Sequence, residues 1–343
     1  MNSPKYVKFD KSMTSIVKGF AILFMLKLHC YNDYKYDVPL NYDHAFLFAH
    51  DGFILCVGIF AFMIGYGYAF SKTKDFQYSS QHIRRVVIPY WVIFLLFMLP
   101  VSYKEYFASG LKTMIYTIIG FDVHFYYYNW FVYYFVFAMC IMPLISRLID
   151  KRPLVNTIIV VCSIYAIQVI THPLIAYLPD NRIKCVLINC FLLTPVTVLG
   201  YLFARERYYE RIRVDRLPSF VVIIATVFIL LISIYLESIL RVRFGFLFDF
   251  IYAPLAVGAI AVFFSKFEVK PFRTVMIKLG WASMYMWFLH SLFHTPSVRW
   301  FYQPIVTIFN DVNLVAIWTT IVVFFGAWIL KPIMDRFMKI SKL

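Results

Sequence analysis

Three ionisable side chains, Lys18, Lys27 and His29, lie inside the first membrane-length apolar stretch of the chain, in the segment KGFAILFMLKLH at residues 18–29. Lys18 and His29 are eleven residues apart, and eleven helical steps of about 100° return to within about 20° of the starting direction, roughly 16 Å further along the axis. The two side chains therefore share one face of a helix. Because charged groups are expensive in a bilayer, such a face normally turns toward a protein interior or a hydrated cavity.

His29 is a candidate general base, because imidazole accepts a proton from a hydroxyl group near neutral pH. A satisfied polar residue near the outer interface would show the same spacing, and the spacing favours neither interpretation. Lys27 lies about 160° around the helix from His29, near the outer end, where a long side chain reaches the headgroups. We therefore interpret Lys27 as an anchor and keep Lys18 and His29 as the candidate chemical groups.

The composition indicates that this helix belongs to an integral membrane protein. Hydrophobic residues make up 62% of the 343 residues and charged residues 15%, so a water-soluble fold would expose too much apolar surface. A net charge of +15 would suggest nucleic acid in a soluble protein. Here the basic residues fall between apolar blocks, which is a topology signal, and we expect no nucleic-acid partner.

Apolar blocks of about 18–25 residues recur along the chain and predict an all-α polytopic bundle of ten membrane-spanning helices. We interpret the first block as a retained helix, because no small-residue cleavage site follows it. MIYTIIGF, at 114–121, is too short to cross and predicts a re-entrant or interfacial piece. We expect residues 1–343 to form a single domain. The predicted helices lie near residues 12–30, 45–70, 83–103, 129–148, 154–171, 185–204, 217–237, 247–265, 275–294 and 313–332.

The basic residues predict the orientation of this bundle. With ten crossings, 23 of the 33 lysines and arginines fall on the side that carries both termini, eight fall on the other side, and Lys18 and Lys27 lie within the first helix. Positive charge collects on the cytoplasmic side of membrane proteins. We therefore expect both termini to face the cytoplasm.

Five segments together resemble the membrane-bound acyltransferase 3 family, whose first helix has Arg or Lys, then ten residues, then His. Lys18 and His29 match that motif in the KGFAI context. The similarity extends over essentially the whole chain. The other four segments are CVGIFAFMIGYGYAFSK at 56–72, RRVVIPYWV at 84–92, NWFVYYFVFAMCIMPLI at 129–145 and LGWASMYMWFLHSLF at 279–293.

One position departs from the family pattern. The second-helix segment of the family usually closes with Ser-Gly-Tyr, whereas this chain has Ile64 before Gly65 and Tyr66. Any role of the serine hydroxyl is therefore absent or taken over by another group.

The resemblance implies an enzyme that transfers an acyl group, most often acetyl from acetyl-CoA, to a sugar hydroxyl of a surface glycan. It implies acetyl-CoA as a donor substrate, no permanently bound cofactor, and a glycan or lipid-linked sugar as acceptor. The location that it implies is the bacterial plasma (inner) membrane. His29 would act as general base, with a covalent acyl-histidine intermediate as the alternative.

The resemblance also implies residues for the donor. Arg84 and Arg85 would bind its anionic diphosphate and ribose phosphate, and Tyr66 would contribute to the same site. Lys18 would hold the phosphates or the pantetheine arm, or orient the thioester. Without the resemblance, Arg84 and Arg85 would be read as ordinary cytoplasmic anchors.

Four further residues are candidates for supporting roles: Asp51 and Trp130 at the outer helix ends, and Ser283 and His290 in the late helix. The aromatic segments HFYYYNW at 124–130 and RWFYQP at 299–304 fit sugar stacking or an interfacial aromatic belt equally. The pair of histidines in HSLFH, at 290–294, lacks the Glu of HExxH and a third ligand, and the six cysteines have no metal-type spacing, so we expect no metal. No GxSxG motif supports a serine-hydrolase relay.

Two other function classes fit a polytopic helical protein with interior charges. A transporter or flippase of a glycan intermediate would also need many helices, but such proteins often show internal repeats, and none is evident here. A non-catalytic partner in a glycan-synthesis complex is the third class. A requirement for acyl-CoA and for His29 would favour the enzyme.

Overall fold

The computed structural model describes residues 4–31, 36–42, 49–120, 130–176 and 181–340. No β-strand forms within these residues. Two isolated β-bridges occur, between Tyr6 and Arg213 and between Asn41 and Asp311. The predicted all-α class is confirmed.

Helices follow one another through the described chain. A 3₁₀ turn at His50–Ile54 leads into the second α-helix, and a π-helical stretch at Phe94–Met98 joins the third to the fourth. The α-helices are α1 (Lys11–Cys30), α2 (Leu55–Ala69), α3 (Phe76–Ile93), α4 (Leu99–Ala108), α5 (Leu111–Ile118), α6 (Phe131–Lys151), α7 (Pro153–Ala176), α8 (Asn181–Arg205), α9 (Ser219–Phe244), α10 (Asp249–Lys266), α11 (Lys270–His294), α12 (Pro296–Tyr302) and α13 (Val312–Ile340).

Nine helical runs within the described residues are long and apolar enough to cross a membrane. They coincide with nine of the ten predicted spans, and the run Phe76–Ala108 joins α3 to α4. The tenth predicted span is α11, whose 25 residues are enough to cross. Its lysines, arginine and histidines make it less apolar than the other nine. The chain is a multi-pass membrane protein.

Several helices extend beyond the predicted apolar blocks. α13 continues to Ile340 rather than 332, and α9 continues to Phe244 rather than 237. α3 begins at Phe76 rather than 83, where the Asp75 side chain accepts a hydrogen bond from the Tyr78 backbone N–H and caps the helix. This hydrogen bond lowers the pKa of the Asp75 carboxyl. Hydropathy marks where a helix leaves the hydrocarbon, whereas caps and backbone hydrogen bonds mark where it ends.

The segment predicted to be re-entrant or interfacial lies mostly in the short helix α5. This helix has eight residues and cannot span. It is fastened to α3 by side chains, since the Tyr90 hydroxyl donates to the Thr117 carbonyl and the Trp91 indole N–H donates to the Ile118 carbonyl at 2.8 Å. It is therefore a short helix beside α3, with several apolar side chains exposed.

One end of the bundle, here called the basic end, collects the start of α1, the end of α13 and the loops between α2 and α3, α8 and α9, and α10 and α11. Contacts tie these parts together. They include Tyr6 with Arg213, Lys5 with Glu268 at 4.0 Å, Arg273 with Ser12 at 3.1 Å, and Lys74 and Arg205 with Asp150 at 3.2 and 2.7 Å.

α1 lies in the interior and packs along α11 and α2. Glycines permit the close approach of α1 and α11. A Cβ atom at Gly19 would collide with the Met276 carbonyl, and one at Gly280 would collide with the Ser15 carbonyl. The helix that carries Lys18 and His29 is thus held backbone to backbone against α11. By contrast, α7, α9 and α13 bury few of their side chains inside the protein.

Candidate active site

The start of α1 is fixed by local hydrogen bonds and by a buried leading segment. The Asp10 side chain accepts a hydrogen bond from the Met13 N–H at 3.0 Å, which caps the helix. Phe9, directly before the cap, is buried, and its ring lies 5.3 Å from that of Tyr209, stacked at 17°. These contacts set the rotation of α1 and so the direction in which its ionisable groups point.

His29 lines a small cavity at the end of α1 opposite the basic end, here called the His29 cavity. It has a volume of about 50 Å³, enough for roughly three or four water molecules. Apart from His29 and Cys56, the walls are apolar or aromatic. They are formed by Met25, Leu28, His29, Ile54, Cys56, Val57, Phe60, Trp130, Phe131 and Trp287.

The His29 ring stacks on that of His290 from α11, with centroids 5.1 Å apart and planes inclined by 22°. His290 is fully buried, and its Nδ1 is within hydrogen-bonding distance of the Trp287 carbonyl. Because a carbonyl only accepts, Nδ1 of His290 carries a proton in this contact. His290 thereby has a fixed ring plane against which His29 is held.

A second contact layer closes the site toward the end of the bundle opposite the basic end. Sγ of Cys30 lies 3.8 Å from Nε2 of His294, the Tyr36 ring packs edge-on against His294, and the Tyr36 hydroxyl donates to the Cys30 carbonyl at 2.9 Å. Although a histidine and a cysteine meet here, no group of three or more metal-ligating side chains assembles anywhere in the described part of the chain. The layer joins the ends of α1 and α11.

Lys18 lines a larger cavity of about 330 Å³ toward the basic end, here called the Lys18 cavity. Within the described residues, no carboxylate or hydrogen-bond acceptor pairs with the Lys18 ammonium. Ser283 also faces this cavity, but its hydroxyl donates to the Gly280 carbonyl at 2.9 Å. The walls are formed by Lys18, Phe60, Met63, Ile64, Gly67, Tyr68, Tyr78, His82, Val86, Phe131, Phe135, Met139, Ser283, Met284 and Trp287.

The two cavities adjoin, since Phe60, Phe131 and Trp287 line both. We call these three side chains the aromatic partition. The Phe131 ring centroid lies 5.6 Å from that of Trp287 and 6.3 Å from that of Phe60. Lys18 and His29 thus stand on either side of one aromatic wall, along the same helix.

Arg84 and Arg85 are exposed on α3, the helix whose Tyr78, His82 and Val86 form one wall of the Lys18 cavity. Arg85 is close enough to interact electrostatically with both Tyr78 and His82. The two arginines therefore lie beside the Lys18 cavity at the basic end.

The other predicted site residues lie at varied distances from the cavities. Trp130 lines the His29 cavity, whereas Asp51 is exposed at the start of the 3₁₀ turn. Tyr66 is buried in an aromatic cluster, 4.4 Å from the Phe9 ring, and lines neither cavity. Ile64, at the usual serine position, does line the Lys18 cavity. Residues 124–129 lie outside the described residues.

Sequence reasoning missed two buried acids near the His29 cavity. Glu237 on α9 and Asp249 on α10 are 1% and 0% exposed, and their carboxyl groups interact with each other and with Arg241. Gly58 leaves space for Asp249, since a Cβ atom there would collide with its carboxylate. The sequence does contain an indication of a buried acid here, because Glu237 is the single acidic residue of the apolar helix α9.

At the basic end, Asp150 of α6 joins three parts of the chain. Its carboxylate accepts from Nε of Arg205 at 2.7 Å, from the Tyr201 hydroxyl at 2.7 Å and from Nζ of Lys74 at 3.2 Å. Lys74 lies in the loop between α2 and α3, next to the Lys18 cavity. The network fixes this loop against α6 and α8.

Comparison with protein families decides the class of this site. A profile of the acyltransferase domain of the acyltransferase 3 family matches residues 15–331, which include Lys18, His29, Arg84, Arg85 and His290. The chain belongs to this family. No curated protein and no solved structure shows significant similarity to it. The two adjoining cavities therefore lie within the domain of a membrane acyltransferase.

Proposed function

We propose that this acyltransferase moves acetyl from cytoplasmic acetyl-CoA to a sugar hydroxyl of a surface polysaccharide or its lipid-linked precursor, with His29 as general base. The observation that carries the proposal is the pair of adjoining cavities, one lined by Lys18 and the other by His29, separated by the aromatic partition. A cation without a carboxylate partner in a cavity fits an anionic donor, and a histidine in a small apolar cavity fits a proton acceptor at the reacting centre.

The donor would enter from the basic end. Arg84 and Arg85 are exposed there and supply charge for its diphosphate and ribose phosphate. The pantetheine arm would lie in the Lys18 cavity, whose walls are mostly apolar and whose volume is about 330 Å³. The thioester would then reach the aromatic partition, which stands between Lys18 and His29, two residues roughly 16 Å apart along α1.

The reaction itself needs one proton acceptor beside the thioester carbonyl. The acceptor hydroxyl oxygen bonds to the carbonyl carbon while its proton passes to His29. The C–S bond then breaks, the thiolate leaves, and the proton held on His29 converts the thiolate to the CoA thiol. His290, stacked on His29, orients the ring and takes no part in bond making. Attack by His29 itself, which would give an acyl-histidine, is the alternative.

We also propose the bacterial plasma membrane as the location, with both termini in the cytoplasm. Support comes from the asymmetry of 23 basic residues against eight. A membrane-impermeant thiol reagent tests the orientation on intact cells. Asn310→Cys should be labelled directly, and Lys5→Cys only after the membrane is permeabilised; the reverse result would contradict the topology.

The test of the activity is the O-acetyl content of purified surface glycan, measured by NMR in a deletion strain. The strain is complemented with the wild type, with His29→Ala or with Lys27→Ala, at matched membrane expression. We expect the wild type and Lys27→Ala to restore acetyl groups and His29→Ala to leave them absent. Equal restoration by His29→Ala would remove this histidine from the chemistry. No change with any of the three would exclude acetylation of this glycan.

A further inference from the structure

A second cavity system lies on the lipid-facing side of the bundle, away from Lys18 and His29. The α9–α10 groove runs between these two helices and has a volume of about 520 Å³. Its walls include Val221, Ala225 and Ile229 from α9 and Leu255, Gly258 and Val262 from α10. None of the residues that line the His29 or Lys18 cavity lines this groove.

The groove has the chemistry of a hydrocarbon site. Its few polar side-chain atoms are already engaged: the Tyr209 hydroxyl donates to the Pro254 carbonyl at 2.6 Å and the Thr226 hydroxyl donates to the Ala259 carbonyl at 3.4 Å. Neither hydroxyl has a proton left to donate to a sugar or a nucleotide. An acyl chain is the group that fits against apolar surface of this kind within a membrane-spanning segment.

The length of the groove also fits an acyl chain. Its wall on α9 runs from Val221 to Ile229, about 12 Å, and its wall on α10 runs from Ile251 to Val262, about 16 Å. One leaflet contributes about half of the roughly 30 Å hydrocarbon thickness. The groove is therefore matched to one chain of a lipid from the leaflet at the basic end.

The cationic side chains at the mouth of the groove favour a lipid with an anionic headgroup. Arg216 directly precedes Leu217 in the groove wall, and Lys266 follows Val262 by one helical turn. Within the described residues, neither Arg216 nor Lys266 pairs with a carboxylate; Lys266 donates to the Val214 carbonyl at 3.0 Å. Two cations that form no ion pair, at the mouth of a hydrocarbon groove, complement a phosphate headgroup.

Neighbouring cations have carboxylate partners, unlike Arg216 and Lys266. Arg213 pairs with Asp215 at 2.7 Å, and its guanidinium lowers the pKa of that carboxyl. Arg211 pairs with Glu206 at 3.3 Å and shares that carboxylate with Arg205. Among the described residues near the groove mouth, Arg216 and Lys266 are thus cations that form no ion pair.

From this groove and its charged mouth, we infer that the protein binds one anionic glycerophospholipid, with an acyl chain between α9 and α10 and its phosphate at Arg216 and Lys266. Tyr209 connects this site to the fold, since its ring forms part of the groove wall and also stacks on Phe9, directly before α1. The bound lipid stabilises the bundle around the start of α1.

Native mass spectrometry and thermal unfolding of the purified full-length protein in detergent test this inference. The probes are phosphatidylglycerol and phosphatidylcholine with identical acyl chains. We expect the wild type to retain one phosphatidylglycerol in preference to phosphatidylcholine and to unfold at a higher temperature with it. Ala225→Phe, which fills the groove, should lose both effects. Ala166→Phe is the matched control, because Ala166 is exposed on α7, away from the groove, and should retain them.

The charged mouth gives a second, independent variant that leaves the apolar walls of the groove unchanged. Arg216→Gln/Lys266→Gln should reduce the preference for phosphatidylglycerol by about fivefold per charge removed, whereas Lys339→Gln, an exposed cation at the basic end, should not. If Ala225→Phe does not fold, this double variant decides. Unchanged preference in the double variant, unchanged retention in a folded Ala225→Phe, or a lipid-linked sugar as the lipid that co-purifies would each overturn the inference.

Discussion

The His29 cavity and the Lys18 cavity share three wall residues yet differ in size, in charge and in the end of the bundle that they approach. The first holds about 50 Å³ and has a histidine stacked on a second, buried histidine. The second holds about 330 Å³, has a lysine with no ion-pair partner among the described residues, and lies beside two exposed arginines at the basic end. A small, rigid space beside a base suits the reacting atoms, and a larger space beside cations suits the donor that carries them.

Under the proposed function, this difference would separate binding from chemistry along one helix. α1 supplies a group to each cavity, and the rotation set by its cap and by its packing on α11 directs both groups inward. Any group that moves from one cavity to the other would have to pass the aromatic partition. Changes on either side should therefore affect different kinetic constants.

Replacing His29 should have the largest effect. His29→Ala is expected to lower kcat by about 100- to 10,000-fold, the range in which general bases contribute. The measurement is the rate of transfer by purified enzyme at saturating acetyl-CoA. Lys27→Ala is the control on the same helix, because Lys27 lies over the Tyr31 ring at 3.0 Å and lines neither cavity. Near-normal turnover in His29→Ala would show that the small cavity is not the reacting centre.

Replacing Lys18 should come next and should act on binding. Lys18→Met keeps the length of the side chain and removes the charge, and we expect the KM for acetyl-CoA to rise by about 10- to 100-fold with a smaller change in kcat. Steady-state kinetics with varied acetyl-CoA measure this, with Lys11→Met, an exposed change at the start of α1, as the matched control. A fall in kcat at constant KM would show that Lys18 takes part in the chemical step. The two cavities would then not divide binding from chemistry.

Opening the aromatic partition should have a moderate effect that concerns specificity. Trp287→Ala joins the two cavities and makes room for a longer acyl group. We expect the ratio of butyryl to acetyl transfer to rise by roughly tenfold, since each methylene in an apolar pocket has an effect of that order. Competition between the two acyl-CoA donors gives the ratio. Met284→Ala is the control, because Met284 lines only the Lys18 cavity, and the ratio should stay unchanged there.

A substitution at the contact between α1 and α11 should disturb each cavity less than the three substitutions above. It should, however, disturb both cavities. Gly280→Ala pushes a methyl group against the Ser15 carbonyl and is expected to destabilise the fold by about 1–3 kcal/mol. Gly67→Ala is the control, because a Cβ atom there meets no other group within 4 Å, and it should leave stability equal or slightly raised. Equal unfolding temperatures for the two variants would show that the close approach is not required.

The sequence predicted the part of the site that depends on one helix. Lys18 and His29 were placed on one face by counting residues, and both line cavities in the structure. Nine of the ten predicted spans are confirmed because a hydrocarbon core imposes a minimum apolar length. The end of a span was less predictable, since charged residues near the headgroups continue a helix without cost, as in α13.

The parts that depend on packing between helices were not predictable in the same way. Phe60, Phe131 and Trp287 belong to apolar blocks rich in aromatic residues, and only the arrangement of α2, α6 and α11 brings them together. The stacking of His290 on His29 likewise depends on the close contact at Gly19 and Gly280. Glu237 and Asp249 lie on the consecutive helices α9 and α10. The hydrophobic periodicity of these helices does not predict which of their sides face each other. The catalytic roles proposed for Lys18 and His29 stay predictions.

The aromatic partition has a further consequence for the cell. A protein that offered water a continuous path between the His29 and Lys18 sides would leak protons and discharge the gradient across its membrane. The three rings of the aromatic partition stand at the junction of the cavities, where such a path would have to run. The wall that would hold the acyl group in place under the proposed function is therefore also the place where water would have to be excluded.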